Sequence, residues 1–250
     1  MRRFFVEGVE ENRKNCKITG QDAKHMQNVL RLLPGEQVIL FDGKGHEWDG
    51  VVLKYEKGVA HLEIIGEKAP LPEPPARISV SIGYLKDKKI ESLIRPLTEL
   101  GVSDIRPFFS RRSIPLPDGK KTDAKYERFR SIAIESLKQC RRSYAPSFYT
   151  PVMYEEMLFA GDAYDEKIIF WEEAGDRPGF SNINLEDMNG IGAGSVYLAF
   201  GPEGGFEEGE IEMAIEAGFR VLSLGPRILR AETAVITGVS IIQYFFGDLR

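Results

Sequence analysis

The chain has 250 residues, enough for two unequal domains and a sizeable core. Its 42% hydrophobic and 28% charged content is that of a soluble folded protein and excludes a disordered or membrane-embedded chain, since no window approaches the roughly 20 apolar residues that span a bilayer. The formal net charge of −5 hides an asymmetry: residues 1–150 carry 27 Lys and Arg against 20 Asp and Glu, while residues 151–250 carry 6 against 18, so the first part suits a polyanion and the last a neutral or cationic ligand.

The opening Met1-Arg2-Arg3-Phe4-Phe5-Val6 runs into Glu7-Gly8 and lacks the apolar centre of a secretory signal, so a cytoplasmic protein is expected. A short helix is predicted from about Asp22 to Leu33, stopped by Pro34-Gly35. Strand patterns follow at Gln37–Phe41, Trp48–Tyr55 and Val59–Ile65, the last two separated by the turn residues Lys57-Gly58. Residues 1–70 therefore read as a small β-barrel-like domain. Prolines 70, 72, 74 and 75 make residues 71–76 a stiff linker to a second domain, 77–250, because proline fixes φ and removes a backbone donor.

Beyond the linker the pattern alternates. Arg77–Leu85 is a buried strand, Lys89–Leu100 a helix closed by Gly101, Ile105–Phe109 a strand, and Asp123–Arg142 a long basic amphipathic helix. Strands are then predicted at Ile168–Trp171, Val196–Phe200 and Arg220–Leu224, with helices at Glu207–Ala217 and Glu232–Phe246. Such alternation implies an α/β fold with a mainly parallel sheet covered on both faces.

In these sheets a ligand lies beyond the carboxyl ends of the strands, where three loops fall: Glu172–Gly179, Gly201–Phe206 and Gly225–Ala231. In the second, Gly201-Pro202-Glu203-Gly204-Gly205-Phe206, the glycines let a ligand approach the backbone at a helix start. A turn of this kind is also common as plain structure. No GxxxxGK[ST] or strand-following GxGxxG is present, and Glu203 is a carboxylate, unwelcome beside phosphate and acceptable beside a cation. In the third, Leu224-Gly225-Pro226-Arg227-Ile228-Leu229-Arg230-Ala231-Glu232-Thr233-Ala234, capping by Glu232 or Thr233 and packing of Ile228 and Leu229 explain part of the pattern, but not Arg230. The histidines, His25, His46 and His61, are confined to the first quarter, so histidine chemistry in the later part is excluded. Cys16 and Cys140 have no metal-ligand or disulfide spacing, and no metal is expected.

Together, GPEGGF after one strand and LGPRILRAETA after the next resemble the signature of the SPOUT methyltransferases, and specifically of the RsmE family. Arg2-Arg3-Phe4-Phe5, His25-Met26-Gln27-Asn28-Val29-Leu30-Arg31, Thr98-Glu99-Leu100-Gly101-Val102, Arg111-Arg112-Ser113 and Glu135–Arg142 followed by Pro146 are similar to further family blocks. Two positions depart from it. Pro96 stands where a lysine is common and predicts a local kink, and Glu207 replaces a small hydroxyl residue, so that helix is expected to be capped differently.

The resemblance implies a PUA-like N-terminal barrel that helps to hold RNA and a C-terminal domain threaded as a deep trefoil knot from about Val196 through the helix beginning at Glu232. It implies a homodimer with no membrane or metal partner, and S-adenosylmethionine as cofactor. The reaction implied is methylation of uridine N3 in the decoding region of 16S ribosomal RNA of the small subunit. The residues expected around the cofactor are Glu172, Phe200, Gly201, Pro202, Glu203, Gly204, Gly205, Leu224, Gly225, Arg227, Ile228, Leu229, Arg230, Thr233 and Ala234. For catalysis, Arg230 is the candidate to stabilise negative charge on the uracil oxygens, with Glu203, Glu232 or water as proton acceptor. An ion pair of Arg230 with Glu203 or Glu232 that merely holds the loop is the alternative. RNA phosphates are expected to meet Arg2, Arg3, Lys24, Arg31, Arg111, Arg112, Lys138, Arg141 and Arg142. The rival functions are a noncatalytic RNA-binding protein with a decayed methyltransferase domain, and a nucleotide-dependent enzyme, which the missing phosphate motif disfavours.

Overall fold

The computed structural model describes residues 2–8, 14–85, 87–113, 122–174, 181–182 and 194–249. It divides into two compact units, Met1–Glu73 with Ile134–Ala145, and Pro74–Ala133 with Pro146–Arg250.

The first unit contains β1 (Arg3–Phe5), β2 (Asn15–Ile18), α1 (Gly20–Lys24), a π-helical turn at His25–Val29, β3 (Gln37–Phe41), β4 (Glu47–Glu56) and β5 (Val59–Lys68). The strands form one curled sheet in the order β1-β3-β4-β5-β2, antiparallel except for the β1–β3 pair. Lys57 and Gly58 both have positive φ, 49° and 77°, as a two-residue hairpin turn between twisted strands requires. Register shifts at Asp49/Gly50 and Val52/Lys54 bend the β4–β5 ribbon, so that Val38, Leu40, Val52 and Leu62 share a core with Phe4, Met26 and Ile18.

The helix predicted to reach Leu33 ends earlier. Leu30 N–H bonds to the His25 carbonyl, a wider π-type turn that leaves Met26 fully buried, and Arg31 then breaks the helix with φ 52°.

The polar centre of this unit is internal. Arg3 Nη1 meets Glu47 Oε1 at 2.5 Å, with side-chain exposures of 6% and 2%. Ser143 Oγ donates to the same carboxylate, and Arg3 Nη2 donates to the Arg142 carbonyl at 3.0 Å. Arg142 in turn clasps Glu73, its Nε 3.1 Å from Oε1. The residues Ile134–Ala145 thus belong to the β unit by charge pairing, although most of them continue the helix α3 (Thr122–Cys140).

The boundary between the units, Glu73 and Pro74, falls within residues 69–76, which contain no helix or strand. The elements of the second unit are β6 (Arg77–Gly83), α2 (Asp87–Glu99), β7 (Asp104–Phe109), the first part of α3, β8 (Ser147–Phe148), β9 (Val152–Met153), α4 (Tyr154–Ala160), β10 (Glu166–Phe170), β11 (Ser181–Asn182), β12 (Ser195–Phe200), α5 (Glu208–Glu216), β13 (Arg220–Ser223) and α6 (Ala231–Phe246). The described strands pair in parallel, in the order β11-β13-β10-β12-β6-β7-β8, with β9 also on β7.

Period-two alternation sorts the side chains to two cores. Val196, Leu198 and Phe200 of β12 join the apolar faces of α2 and α6, while Tyr197 and Ala199 face the side of α4 and α5. Gly238 brings α6 onto the sheet. A Cβ there would lie 2.7 Å from the Phe200 ring, which stacks on Phe170 at 4.7 Å. Pro96 does not end α2, which runs on to Glu99 with Leu100 N–H bonded to the Pro96 carbonyl. Among the described residues no helix is long and apolar enough to cross a membrane.

The Arg3–Glu47 pair generates a stability prediction. Glu47→Ala leaves a buried guanidinium without its carboxylate and is expected to cost about 3–5 kcal/mol. Replacing both partners by apolar residues, Arg3→Met with Glu47→Leu, is expected to cost much less. Urea denaturation of the three proteins measures the difference.

Candidate active site

β13, β10 and β12 are neighbours, and their registers bring Leu222, Phe170 and Phe200 level. The chain therefore leaves all three strands at one edge. The apolar strands are covered on both faces, so this edge is where polar groups can gather without desolvation. A cavity of about 380 Å³ lies there.

The first wall is the turn after β10. Trp171 N–H bonds to the Leu222 carbonyl, and Glu172 reaches toward the second loop. Residues 175–179, the rest of the first loop read from sequence, lie outside the described residues.

The second wall is Gly201–Phe206. It turns on itself through the Gly205 N–H to Pro202 carbonyl bond, 2.9 Å, with Gly205 at φ 69°. A side chain at Gly205 would strain this backbone and collide with the Glu172 carboxylate, 2.0 Å from the Cβ position. Phe206 anchors the far end of the loop, buried and stacked on Phe108. There Glu207 caps α5 by a reciprocal capping box, its N–H donating to Glu210 Oε2 at 2.9 Å, so a carboxylate pair replaces the hydroxyl cap.

The third wall is Leu224–Arg230. Gly225 turns at φ 100° with its N–H on Ser223 Oγ, and Ile228 is 87% exposed. α6 starts after Arg230, which occupies the N-cap position without a side-chain cap bond. Glu232 lies in the first turn, where the helix dipole favours an anion, so neither Glu232 nor Thr233 is the cap.

The structure brings together most of the residues singled out from sequence. Glu172, Phe200, Gly201, Pro202, Glu203, Gly205, Leu224, Gly225, Arg227, Ile228, Leu229, Arg230, Glu232 and Ala234 line the cavity, whereas Gly204 and Thr233 do not. Phe170, Trp171, Ser223, Ala231 and Lys89 line it as well.

Lys89 is the functional group that sequence reasoning missed. From α2 its Nζ lies 3.2 Å from Glu203 and 3.4 Å from Glu232, tying the second loop to the start of α6. Hydrogen bonding to Glu203 raises its pKa, with the charges of both carboxylates acting in the same sense against some desolvation. Glu232 Oε2 is buried with no hydrogen-bond partner among the described residues. The ion pair weighed from sequence between Arg230 and one of these glutamates is therefore replaced by Lys89. Arg230 is exposed at the rim, its side chain without a hydrogen-bond or ion-pair partner among the described residues. The sequence signal for Lys89 was its place near the start of an amphipathic helix that follows a parallel strand, where a side chain projects over the carboxyl edge.

The nine basic residues assigned to RNA separate by environment. Arg3 and Arg142 are engaged with buried or half-buried carboxylates, and Lys138 with Asp22 at 2.9 Å and Glu135 at 2.6 Å. Arg111 and Arg112 contact the second loop and the start of α5. Arg2, Lys24, Arg31 and Arg141 are exposed, and Arg2 donates to the Leu30 carbonyl beside Arg31.

Comparison with known proteins agrees with this geometry. The profile of the RNA methyltransferase domain matches residues 72–243, and that of the RNA methyltransferase PUA domain matches residues 18–65. Ribosomal RNA small subunit methyltransferase E of Bacillus subtilis is 32% identical over 250 residues, spanning 98% of this chain and 96% of that protein. The protein of the same name from Mesomycoplasma hyopneumoniae is 33% identical over 236 residues, 94% and 96% of the two chains. The crystal structure of the Neisseria gonorrhoeae ribosomal RNA small subunit methyltransferase E bound to S-adenosyl methionine is 29% identical. It covers 100% of both chains with a TM-score of 0.83. Similarity of this extent, over both units and all three loops of the cavity, places the chain in the ribosomal RNA small subunit methyltransferase E (RsmE) family.

Proposed function

We infer that this protein methylates ribosomal RNA of the small subunit from S-adenosylmethionine, and that the acceptor is N3 of a uridine in the decoding region. The observation that carries the reading is the cavity at the carboxyl edge of β13, β10 and β12, walled by three loops of which two, Gly201–Phe206 and Leu224–Arg230, carry the family motifs. The cavity's volume is within the range of small-molecule sites, roughly 300–1,000 Å³. Its chemistry suits a sulfonium cofactor. Phe200, Leu224, Leu229 and Ala234 offer apolar wall, the glycines offer open backbone, and Glu203, Glu232 and Glu172 offer negative charge. No basic side chain stands in the Gly201–Phe206 loop to mark a phosphate cradle.

S-adenosylmethionine bound there supplies an electrophilic methyl group. The chain's own residues must hold the uracil in line, take the N3 proton and balance the charge left on the ring. Arg230 suits the last task, because its guanidinium is exposed at the rim and can offer two parallel N–H donors to a pyrimidine edge. Glu203 and Glu232, bridged by the Lys89 ammonium, are the carboxylates placed to accept the proton directly or through water. The noncatalytic alternative is not favoured, since a decayed site has no reason to keep both motif-bearing loops, Gly201–Phe206 and Leu224–Arg230.

The division of labour proposed from sequence, residues 1–70 as RNA-binding domain, 71–76 as linker and 77–250 as methyltransferase domain, is proposed here with two changes: Ile134–Ala145 join the RNA-binding unit, and its basic surface narrows to Arg2, Lys24, Arg31 and Arg141. Arg31 and Arg141 have φ of 52° and 69° at helix ends, where glycine is the usual residue. Holding an arginine in this conformation costs stability, and a gain in RNA contact is a reason to keep it.

A homodimer is part of the same proposal. Tyr244 on α6 is exposed, Ile236, Ile241 and Phe245 are half-buried, and Ile228 projects beside the cavity, an apolar series suited to a second copy. So is the trefoil threading of the C-terminal segment, supported by β13 lying outside β10 while β12 lies between β10 and β6. The cytoplasm is the expected compartment for such a substrate.

Three outcomes are expected. Arg230→Ala lowers turnover on small-subunit RNA by roughly 10²–10³, as when one donor to developing negative charge is removed, while calorimetric cofactor affinity is retained and Arg230→Lys recovers little. Near-normal turnover in the alanine variant removes Arg230 from the mechanism. Arg31→Gly and Arg141→Gly leave the melting temperature unchanged or higher, yet weaken RNA binding and each reduce the salt slope by about 1. Sedimentation at micromolar concentration gives the mass of a dimer, and an active monomer ends that part of the proposal.

A further inference from the structure

Beyond the cavity, the turn Ser110–Ser113 after β7 holds the Gly201–Phe206 loop from its outer side. The turn is self-contained: Ser113 N–H bonds to the Ser110 carbonyl at 3.0 Å, and Ser110 N–H to Ser113 Oγ at 3.0 Å. From it, Arg112 Nη1 donates to the Gly204 carbonyl at 2.9 Å. The stem of Arg112 lies along the same residue, its Cβ 3.1 Å from where a Gly204 Cβ would be. Arg112 Nε is also 3.8 Å from Glu207, at the other end of the loop.

Arg111 contributes differently. Its backbone N–H bonds to Oε1 of the buried Glu210 at 3.0 Å, while Oε2 accepts the Glu207 N–H. Among the described residues its side chain pairs with Glu207 alone, at 3.4 Å, and it is 61% exposed.

We propose that Arg112 is a positioning residue for the cofactor loop, fixing the Gly204 carbonyl behind the cavity and so the backbone of Gly205 at its wall, and that it is not primarily a phosphate contact. The physical case is leverage. A loop with glycines at 201, 204 and 205 has more conformational freedom to lose than other sequences, and its one internal backbone bond joins Gly205 to Pro202. An external donor at Gly204 selects one conformation before any ligand arrives, which lowers the cost of ordering the loop on binding. A planar, permanently charged guanidinium can hold a carbonyl and face a carboxylate together, and an ammonium has no such fork.

The inference rests on the reading that this cavity takes S-adenosylmethionine, but its first test does not. Amide hydrogen exchange of the ligand-free wild-type protein and of Arg112→Ala, Arg112→Lys and Arg111→Ala reports the loop directly. Arg112→Ala is expected to speed exchange of the Gly205 amide by roughly tenfold or more, the scale of losing one charge-assisted hydrogen bond. Arg112→Lys is expected to recover only part of the protection, and Arg111→Ala to resemble wild type. With S-adenosylmethionine, Arg112→Ala should weaken calorimetric binding and raise KM for the cofactor by a similar factor. KM for RNA should change by less than about twofold, the size of a minor surface effect, and the melting temperature should fall by no more than about 5 °C, the scale of the same tenfold change in a chain of this length. Unaltered exchange at Gly205 in Arg112→Ala overturns the proposal. So does an equal rise in RNA KM for both arginine variants with cofactor binding intact, since that is the behaviour of two phosphate contacts. If exchange rises in Arg112→Ala but the wild-type protein fails to bind S-adenosylmethionine, the positioning of the loop stands and the functional reading falls.

Discussion

The constraint on which the site depends is the level ending of three parallel strands that are buried on both faces. Leu222, Phe170 and Phe200 stand side by side at the end of β13, β10 and β12. Each strand has apolar neighbours above and below, so charge is costly anywhere along the sheet and cheap only beyond its edge. Three loops emerge there because the topology sends every crossover out at the same end. Their closeness follows from strand order, and Glu172 against Gly205 shows how tight it is.

Charge at that edge is balanced by a residue from elsewhere. Glu203 and Glu232 would repel each other in a cavity with apolar walls, and Lys89 of α2 stands between them. This frees Arg230, so the loop arginine need not be spent on holding its own glutamates together. The same logic recurs on the outer side, where the two oxygens of Glu210 each accept one backbone N–H, from Arg111 and Glu207. A glutamine there would present one acceptor and one donor to two donors, so a carboxylate is the group that fits even though it is buried.

Much of this was legible from residue order. The parallel α/β alternation, the hairpin at Lys57-Gly58 and the three loops depend on local periodicity and turn chemistry, which a single sequence carries. The elements between Ser147 and Ala163 were not anticipated. β8 and β9 have two residues each and α4 has seven, too short for a period to register. The early break after His25–Val29 was missed because Arg31 adopts positive φ without being glycine, so nothing local announced a stop before Pro34. Lys89 was missed for a different reason. Its partners are more than a hundred residues away in sequence, and a lysine on an amphipathic helix ordinarily reads as a solvated charge.

The basic surplus of the first 150 residues needs the same correction. Counted as charge it suggests a broad polyanion-binding face, but a cation already committed to a carboxylate in the fold adds little net potential outside it. Arg3 with Glu47, Lys138 with Asp22 and Arg142 with Glu73 are of this kind, and the last two tie Ile134–Ala145 to the rest of the first unit. What remains exposed is a smaller set, and two of its members, Arg31 and Arg141, hold backbone conformations that a glycine would adopt at less cost. Folding alone gives no reason to keep arginine at these two positions. Stability therefore accounts for the paired cations, whereas the strained, exposed ones are where a requirement beyond folding must be sought.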